Sequence, residues 1–196
     1  MIKFNGLNIY ISPNVKYKGT LEVGHGSAVG ENDETTIEFG SDCKIGRFCS
    51  LRFGIKIGNN CQIGDYCFIG KNSIVGDGVI IETGSRIFSN VRIGSGSIIN
   101  SNVSNNVIIE DNVRFFGRIG HSHRNHCLDW KTTVEPSPIF RKNCIIGINA
   151  LIIGAVEIGE NSYVAAGEVV RGNIPPNMVY FKGNLYDKEK FRGFIV

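Results

Sequence analysis

Three of the chain's four histidines lie within six residues of one another, in a strongly polar segment. Residues 120–126 read GHSHRNH. An imidazole has an unperturbed pKa close to neutrality, so it can take a proton from a substrate group at physiological pH. The segment therefore holds the strongest candidates in this sequence for a general base.

The same histidines permit a second chemistry, the binding of zinc. His121 and His126 have H-x4-H spacing, and a catalytic zinc site takes three protein ligands and leaves one position open. No histidine stands between His25 and His121 to act as an upstream ligand. The spacing therefore favours general base catalysis over a metal centre.

A six-residue repeat surrounds this segment and must position it. From Cys43 to Asn102 the chain divides into ten blocks of six, and the fourth place of six blocks is Gly. Small or β-branched residues, four of them cysteines, occupy the first place. Each block therefore predicts one short strand followed by one tight turn. The third place is aliphatic in every block: Ile45, Leu51, Ile57, Ile63, Ile69, Val75, Ile81, Ile87, Ile93 and Ile99.

A period of six differs from the 3.6 of an amphipathic helix and is typical of a β-helix whose stacked coils share one core. The sequence resembles the left-handed parallel β-helix of the hexapeptide-repeat acetyltransferases, in which three blocks form one triangular coil of eighteen residues. The resemblance, and not the repeat itself, implies the left hand. We expect an all-β protein with one long loop, at about residues 117–138, and a short C-terminal tail.

The blocks predict a single domain, 1–196. Residues 1–22 are expected to form N-terminal cap strands, residues 23–172 the coils, and residues 173–196 a tail that begins at the helix-stopping NIPPN. A four-residue slip of register after Ile99 predicts a polar bulge over 101–106. The tail segment DKEKF is a candidate short helix.

Composition excludes several classes of function. The net charge of +3 comes from interspersed acidic and basic residues, which argues against a nucleic-acid partner. The sequence has neither an apolar run long enough for membrane insertion nor the segments of a signal peptide, so a cytoplasmic protein is expected. The cysteines in inward places of the repeat, Cys43, Cys49, Cys61, Cys67 and Cys144, are predicted to be reduced core residues.

Residues 144–184 resemble the closing coils of the acetyl-CoA-dependent members of this family. There the co-substrate lies in a groove between two subunits of a homotrimer, so the resemblance implies acetyl-CoA and a homotrimer here. Five cofactor-binding positions carry over: Ile148 and Ala166 beside the thioester and pantetheine arm, Arg171 and Gly172 near the phosphates, and Lys182 as a further cation.

The segment GHSHRNH looks like the Gly-His segment of galactoside and maltose acetyltransferases, whose first histidine is the general base. The resemblance gives that role to His121, with His123 as the reserve candidate. Asp129 and Glu110 are both candidates to orient the base, and the sequence does not choose between them.

Three residues are candidates to contact the acceptor. Asn100 and Asn102 lie at the start of the predicted bulge and can hydrogen-bond a sugar hydroxyl. Trp130 is either a lid over the substrates or an apolar pin for its loop.

The expected function is acetyl transfer from acetyl-CoA to a hydroxyl or amine of a sugar, in surface polysaccharide or nucleotide-sugar biosynthesis. Residues 129–133 resemble nucleotide-sugar N-acetyltransferases, so N-acetylation through the acceptor's own amine is the main alternative. A noncatalytic β-helix scaffold and a zinc enzyme similar to the gamma-class carbonic anhydrases are weaker alternatives. The expected partner is a sugar or nucleotide-sugar acceptor.

Overall fold

The computed structural model describes residues 1–11, 13, 15–30, 36–120 and 136–192. Short strands stack in parallel on three faces, which we name A, B and C in the order in which the chain visits them. The turns between faces are the A–B, B–C and C–A corners. The predicted all-β, left-handed parallel β-helix class is confirmed by this architecture.

Face A is one sheet of eleven strands, all parallel except the last, which is antiparallel to its neighbour. Its members are β1 (Ile2–Asn5), β4 (Leu21–Gly24), β7 (Cys43–Ile45), β10 (Gln62–Ile63), β13 (Ile80–Ile81), β16 (Ile98–Ile99), β19 (Arg114–Phe115), β22 (Ile145–Ile146), β25 (Tyr163–Val164), β27 (Met178–Phe181) and β28 (Asn184–Asp187). The first nine of these strands each open one coil, and we number the coils 1 to 9 accordingly.

Face B is divided into two sheets. The larger contains β2 (Tyr10–Ile11), β5 (Ala28–Val29), β8 (Ser50–Leu51), β11 (Phe68–Ile69), β14 (Arg86–Ile87) and β17 (Asn102–Val103). The smaller, which we name sheet D, contains β20 (Arg118–Gly120), β23 (Leu151–Ile153) and β26 (Val169–Val170). Face C contains β3 (Val15–Tyr17), β6 (Ile37–Phe39), β9 (Lys56–Ile57), β12 (Ile74–Val75), β15 (Arg92–Ile93), β18 (Ile108–Ile109), β21 (Ile139–Phe140) and β24 (Glu157–Ile158).

One apolar column from each face fills the interior. The aliphatic third places of the repeat are buried, with Leu51, Ile69 and Ile87 at 0% exposure on face B. Small side chains at the first place of a block form hydrogen bonds to the next coil. For example, the Cys61 thiol donates to the Gly76 carbonyl at 3.1 Å. All five cysteines predicted to be reduced are buried and free, which confirms the prediction, and burial raises the pKa of the Cys144 thiol to about 12.

Side chains at the corners bond one coil to the next. On the C–A corner, the backbone N–H of Ser41 donates to Asn59 Oδ1 at 2.9 Å, and that of Asn59 donates to Asp77 Oδ1 at 2.7 Å. Most corners end in a left-handed Asn or Gly, the residue types that tolerate a positive φ. These ladders satisfy backbone groups that lie outside the strands.

Three details differ from the sequence-based expectations, and a fourth departs from the repeat pattern. β1, β2 and β3 were expected to cover the first coil, and instead they form coil 1, since each extends a face in parallel. The expected loop at 117–138 begins later, because Arg118–Gly120 pairs with β23. The DKEKF segment forms hydrogen-bonded turns and no helix. Glu168, which occupies a small-residue place, turns outward, where its carboxylate accepts from the N–H groups of Lys182 and Gly183 at 2.7 and 3.1 Å.

The described residues include no helix that is long and apolar enough to cross a membrane.

Candidate functional site

Two consecutive coils are short at the A–B corner. In coil 4, six residues separate the buried anchors Ile63 and Ile69 of faces A and B, whereas only four separate Ile99 from Val103 in coil 6. Coil 7 has the same four-residue step, from Phe115 to Ile119. The slip of register after Ile99 therefore reflects a shortened turn. The prediction of a polar bulge over 101–106 was wrong. The strands keep their pairing because the two residues are missing from the corner alone.

The shortened corners form a notch in the edge of the β-helix, which we define as Asn100–Ser101 and Phe116–Gly117. Full corners at Thr83–Gly84 and Ile148–Asn149 flank the notch, so it is two coils, or about 10 Å, high. The Ser101 hydroxyl donates to the Gly117 carbonyl across it. A Cβ added at Gly117 would lie 2.6 Å from the Ala150 carbonyl oxygen, so the close approach of these coils requires glycine.

An apolar strip lies beside the notch on the outer surface of sheet D. Leu151 and Ile153 of β23 are half-buried there, and Val169 of the edge strand β26 is 43% exposed. Ile148, at the corner that leads into β23, is 64% exposed. Exposed apolar groups that lie together in this way mark an interaction site more often than single exposed side chains do.

Cations stand at both ends of this strip. Arg171 is exposed and directly follows β26 at the B–C corner. Arg118 is also exposed and begins β20, so it lies towards the A–B corner. At the opposite, A–B corner, Lys182 lies in the β27–β28 turn with its Nζ 5.3 Å from the centre of the Phe181 ring. The Glu168 carboxylate holds this turn in place through the backbone. The positive charges can therefore meet anionic groups at either end of an apolar ligand.

Two exposed residues of the A–B corner, Ile148 and Ala166, have backbone N–H groups that are available as donors. The Ile148 carbonyl accepts from Gly167 N–H at 2.9 Å, which stacks the corners of coils 8 and 9. Within the described part of the chain, the N–H groups of Ile148 and Ala166 donate to no acceptor. Backbone N–H groups without an acceptor can bind the negative charge that develops on a carbonyl oxygen during acyl transfer.

The predicted acceptor-binding asparagines lie at the notch. Asn100 is exposed on its floor, and its N–H donates to the Phe115 carbonyl at 2.9 Å. Asn102 follows in β17, where it is exposed and pairs with Arg86 of β14. Sequence reasoning named both residues but missed Ser101 and Gly117, although the two four-residue steps are visible in the printed sequence.

The predicted bases, His121 and His123, lie outside the described residues, as do Trp130 and Asp129. In the sequence their segment directly follows Gly120, the last residue of β20 in sheet D. Gly120 pairs with Ile153, and Arg171 extends the next strand, so the segment starts two strand spacings, or about 10 Å, from Arg171.

Glu110, the second candidate to orient the base, already has partners at the C–A corner. Its carboxylate accepts from Arg141 at 2.8 Å and from the Lys142 N–H at 3.0 Å. Arg141 also donates to Glu157 at 2.8 Å. Among the described residues, no group of three His, Cys, Asp or Glu side chains is placed to hold a metal ion.

The coils and their six-residue period define a parallel β-helix of hexapeptide repeats. Residues 54–89 match the family model for the bacterial transferase hexapeptide, six repeats, and residues 142–171 match the model for the hexapeptide repeat of succinyl-transferase. These two matches cover separate parts of the chain and agree with the hexapeptide-repeat resemblance of its sequence.

Individual relatives match over shorter stretches or at lower similarity. A serine acetyltransferase from Buchnera aphidicola subsp. Schizaphis graminum is 39% identical over 74 residues, which are 38% of this chain and 27% of that protein. The chain thus spans about a quarter of this relative's length. The crystal structure of the polysialic acid O-acetyltransferase OatWY shares 18% identity and a TM-score of 0.40, with 96% of this chain and 89% of that chain covered. Likeness at that level does not transfer an activity.

Proposed function

We propose that this protein transfers acetyl from acetyl-CoA to a hydroxyl, or an amine, of a sugar or nucleotide-sugar, with His121 as the general base. One observation carries the proposal: the apolar strip of sheet D lies between cations and beside the notch, and the histidine-rich segment begins from the same sheet. The two hexapeptide transferase models support the acyltransferase class.

The strip and its cations suit the chemistry of acetyl-CoA. A pantetheine arm is mostly apolar and can lie along Ile148, Leu151 and Val169, which are partly or largely exposed. Phosphates at the B–C end of the arm would meet Arg171, because a guanidinium group binds phosphate oxygens in bidentate fashion. The notch leaves room for an acceptor at the other end, next to Asn100.

The proposed reaction is a direct transfer in one displacement. The imidazole of His121 takes the acceptor's proton as the acceptor oxygen or nitrogen bonds to the thioester carbonyl carbon. The carbonyl oxygen gains negative charge, which the N–H of Ile148 or Ala166 would stabilise. The C–S bond then breaks, and the leaving thiolate receives the proton from His121, so that free CoA and the acetylated acceptor are released.

The test is the rate of free-thiol release from acetyl-CoA with sugars, nucleotide-linked amino sugars and oligosaccharides as acceptors. We expect His121→Gln to lower the rate about 10²–10⁴-fold, the usual effect of losing a general base, and to leave acetyl-CoA binding by calorimetry intact. His126→Gln is the matched control, since it makes the same change in the same segment and should leave the rate near that of the parent. Near-normal turnover of His121→Gln would contradict the assignment, and loss through His123→Gln instead would move the role to the reserve candidate.

The curated relative gives a second candidate acceptor. It is named a serine acetyltransferase and is matched over 74 residues, so a small amino acid with a hydroxyl group belongs in the panel. Turnover with L-serine and none with any sugar would favour this second candidate. The proposed oligomer is a homotrimer in the cytoplasm, with acetyl-CoA held between neighbouring subunits, and sedimentation equilibrium would give its mass.

A further inference from the structure

Two bulky aromatic residues occupy corner positions that otherwise belong to small or turn-forming residues. Phe48 and Tyr66 have φ of 53° and 59°, in the left-handed region that a bulky side chain rarely adopts. In the described ranges, every other residue with positive φ is Asn, Asp or Gly, apart from Lys182 of the β27–β28 turn. Both aromatics lie on the A–B corner, in the consecutive coils 3 and 4. Backbone strain that recurs at neighbouring positions indicates a function at that place.

The two side chains form a stack on the surface of the molecule. Their ring centres are 5.3 Å apart at an interplanar angle of 11°, and their exposures are 47% and 59%. His25 of coil 2 meets the Phe48 ring edge-on at 5.3 Å, and its Nδ1 accepts from the Leu7 N–H at 3.0 Å. We name Phe48 and Tyr66, with His25 behind them, the aromatic column.

The aromatic column ends at an open step. In coil 5 the equivalent corner residue is Gly84, which has no side chain to extend the stack. Its N–H donates to the Asp65 carbonyl at 2.8 Å, so the backbone of coil 5 still follows that of coil 4. A Cβ added at Gly84 would meet no atom within 4 Å. The ring face of Tyr66 that points away from Phe48 therefore adjoins a vacant space one coil, or about 4.8 Å, high. The notch begins in the next coil.

A groove with mixed polar and apolar walls runs along face A beside this corner. Its volume is about 330 Å³, and its walls include Lys44, Gln62 and Glu82 from the strands and their ends, with Asp65 and Thr83 from the same corner as the aromatic column. These side chains supply both hydrogen-bond donors and acceptors. Arg47 pairs with Asp65, with its Nη2 atom 2.7 Å from Oδ2.

We propose that this corner is a saccharide-binding subsite, in which a pyranose ring stacks on Tyr66 over Gly84 and directs its hydroxyls into the groove. An aromatic face beside mixed polar groups suits a ring that has an apolar C–H face and a hydroxylated rim. Because the space over Gly84 adjoins the notch, a neighbouring sugar unit would lie at Asn100 and Ser101. The inference rests on the proposed function for the acceptor class and extends it, since the acceptor is then an oligosaccharide.

Binding can be measured without any turnover, by saturation-transfer NMR and titration with maltohexaose and with triacetylchitotriose. We expect at least one of them to bind the native protein and to show transfer to its axial ring protons. Tyr66→Asn keeps a residue that tolerates positive φ, so the fold should survive while Kd rises about tenfold, the upper range for an aromatic pair. Gly84→Asn should have the same effect, because its side chain fills the vacant space.

Gly78→Asn is the matched control, since Gly78 has φ of +63° and also meets nothing within 4 Å, but lies on the C–A corner. It should bind as the native protein does. Failure of both oligosaccharides to bind the native protein, or equal loss in Gly78→Asn, would overturn the subsite. A change in molecular mass by light scattering in Tyr66→Asn would likewise overturn it, because the aromatic column would then be a subunit interface.

The same samples separate this inference from the proposed function. Glycan binding that depends on Tyr66, without thiol release from acetyl-CoA, would leave the subsite standing and remove the transferase. If an oligosaccharide supports thiol release and its KM is the same in the native protein, Tyr66→Asn and Gly84→Asn, the transferase would stand and the subsite would be overturned.

Discussion

Coils 3 to 5 and coils 6 to 7 have the same core but different edges. In both regions the inward residue of face A is fully or almost fully buried, as at Ile63, Ile81, Ile99 and Phe115. Coils 3 to 5 keep full corners, whereas coils 6 and 7 lose two residues each at the A–B corner. Each coil contacts only its neighbours, so an edge can change length while the stack continues. The core thus specifies the scaffold, and departures at the edge specify the site.

The largest predicted effect tests whether the core of coil 7 is as well packed as that of coil 5. Phe115 is 0% exposed and meets Phe140 at 4.9 Å between ring centres. Phe115→Ala should lower the free energy of unfolding by about 3–5 kcal/mol in urea titrations, because it leaves a large cavity. Ile81→Ala in coil 5 is the control, with an expected loss of about 2–5 kcal/mol. A loss below about 1 kcal/mol at Phe115 would mean that the irregular coils have a loose core, contrary to the comparison.

A smaller effect on stability, with a large effect on activity, is expected when the notch is filled. Inserting Asn-Gly after Ser101 restores the full corner length and places backbone where the acceptor is proposed to bind. Longer surface turns cost little free energy, so the melting temperature should change little. Thiol release should fall about 10²-fold, since displacement of a substrate by about 1 Å has effects of that size.

The same pair inserted after Gly78, on the C–A corner, is the control for this insertion. It lengthens a full corner away from the notch and should leave thiol release near that of the native protein. Equal activity of the two insertion variants would show that the shortened corners have no part in the reaction, and the contrast between regular and irregular coils would then concern folding alone.

The repeat made the core predictable, because one inward aliphatic residue recurs every six positions. Cys43 and Cys61 could be placed inside for the same reason, and both are buried. Corners were harder to predict, since a two-residue deletion and a bulge produce the same slip of register in the sequence. The partners of Glu168, the N–H groups of Lys182 and Gly183, could not be named from the sequence, because they depend on where the β27–β28 turn folds back.

The stacking of Phe48 on Tyr66 shows most clearly what the sequence pattern can and cannot predict. The two residues are eighteen positions apart, one full coil, so their proximity follows from the repeat. Their positive φ does not follow, because the sequence offers Asn at the equivalent place of other blocks and gives no sign that an aromatic adopts the same conformation. The candidate site therefore depends on residues that break the pattern, which a pattern-based argument describes least well.

The smallest predicted effect concerns the C–A corner, where the irregular coils are bonded to the regular ones that follow. Hydrogen bonds from Arg141 hold the pKa of the Glu157 carboxyl below its ordinary value. A lowered pKa in the folded state means that the ionised form stabilises the fold above the unfolded pKa of about 4.3, and that this contribution is lost as the pH falls through the folded pKa. The melting temperature of the native protein should therefore fall on acidification below about pH 4.3, and that of Glu157→Gln should fall less over the same interval.

The difference between the two proteins should be slight, because the side chains of Arg141 and Glu157 are well exposed, at 38% and 44%, and water screens the pair. Parallel pH profiles of the two proteins would contradict a stabilising role for the pair and would leave Glu110 as the partner that fixes Arg141 across coils 6 and 7.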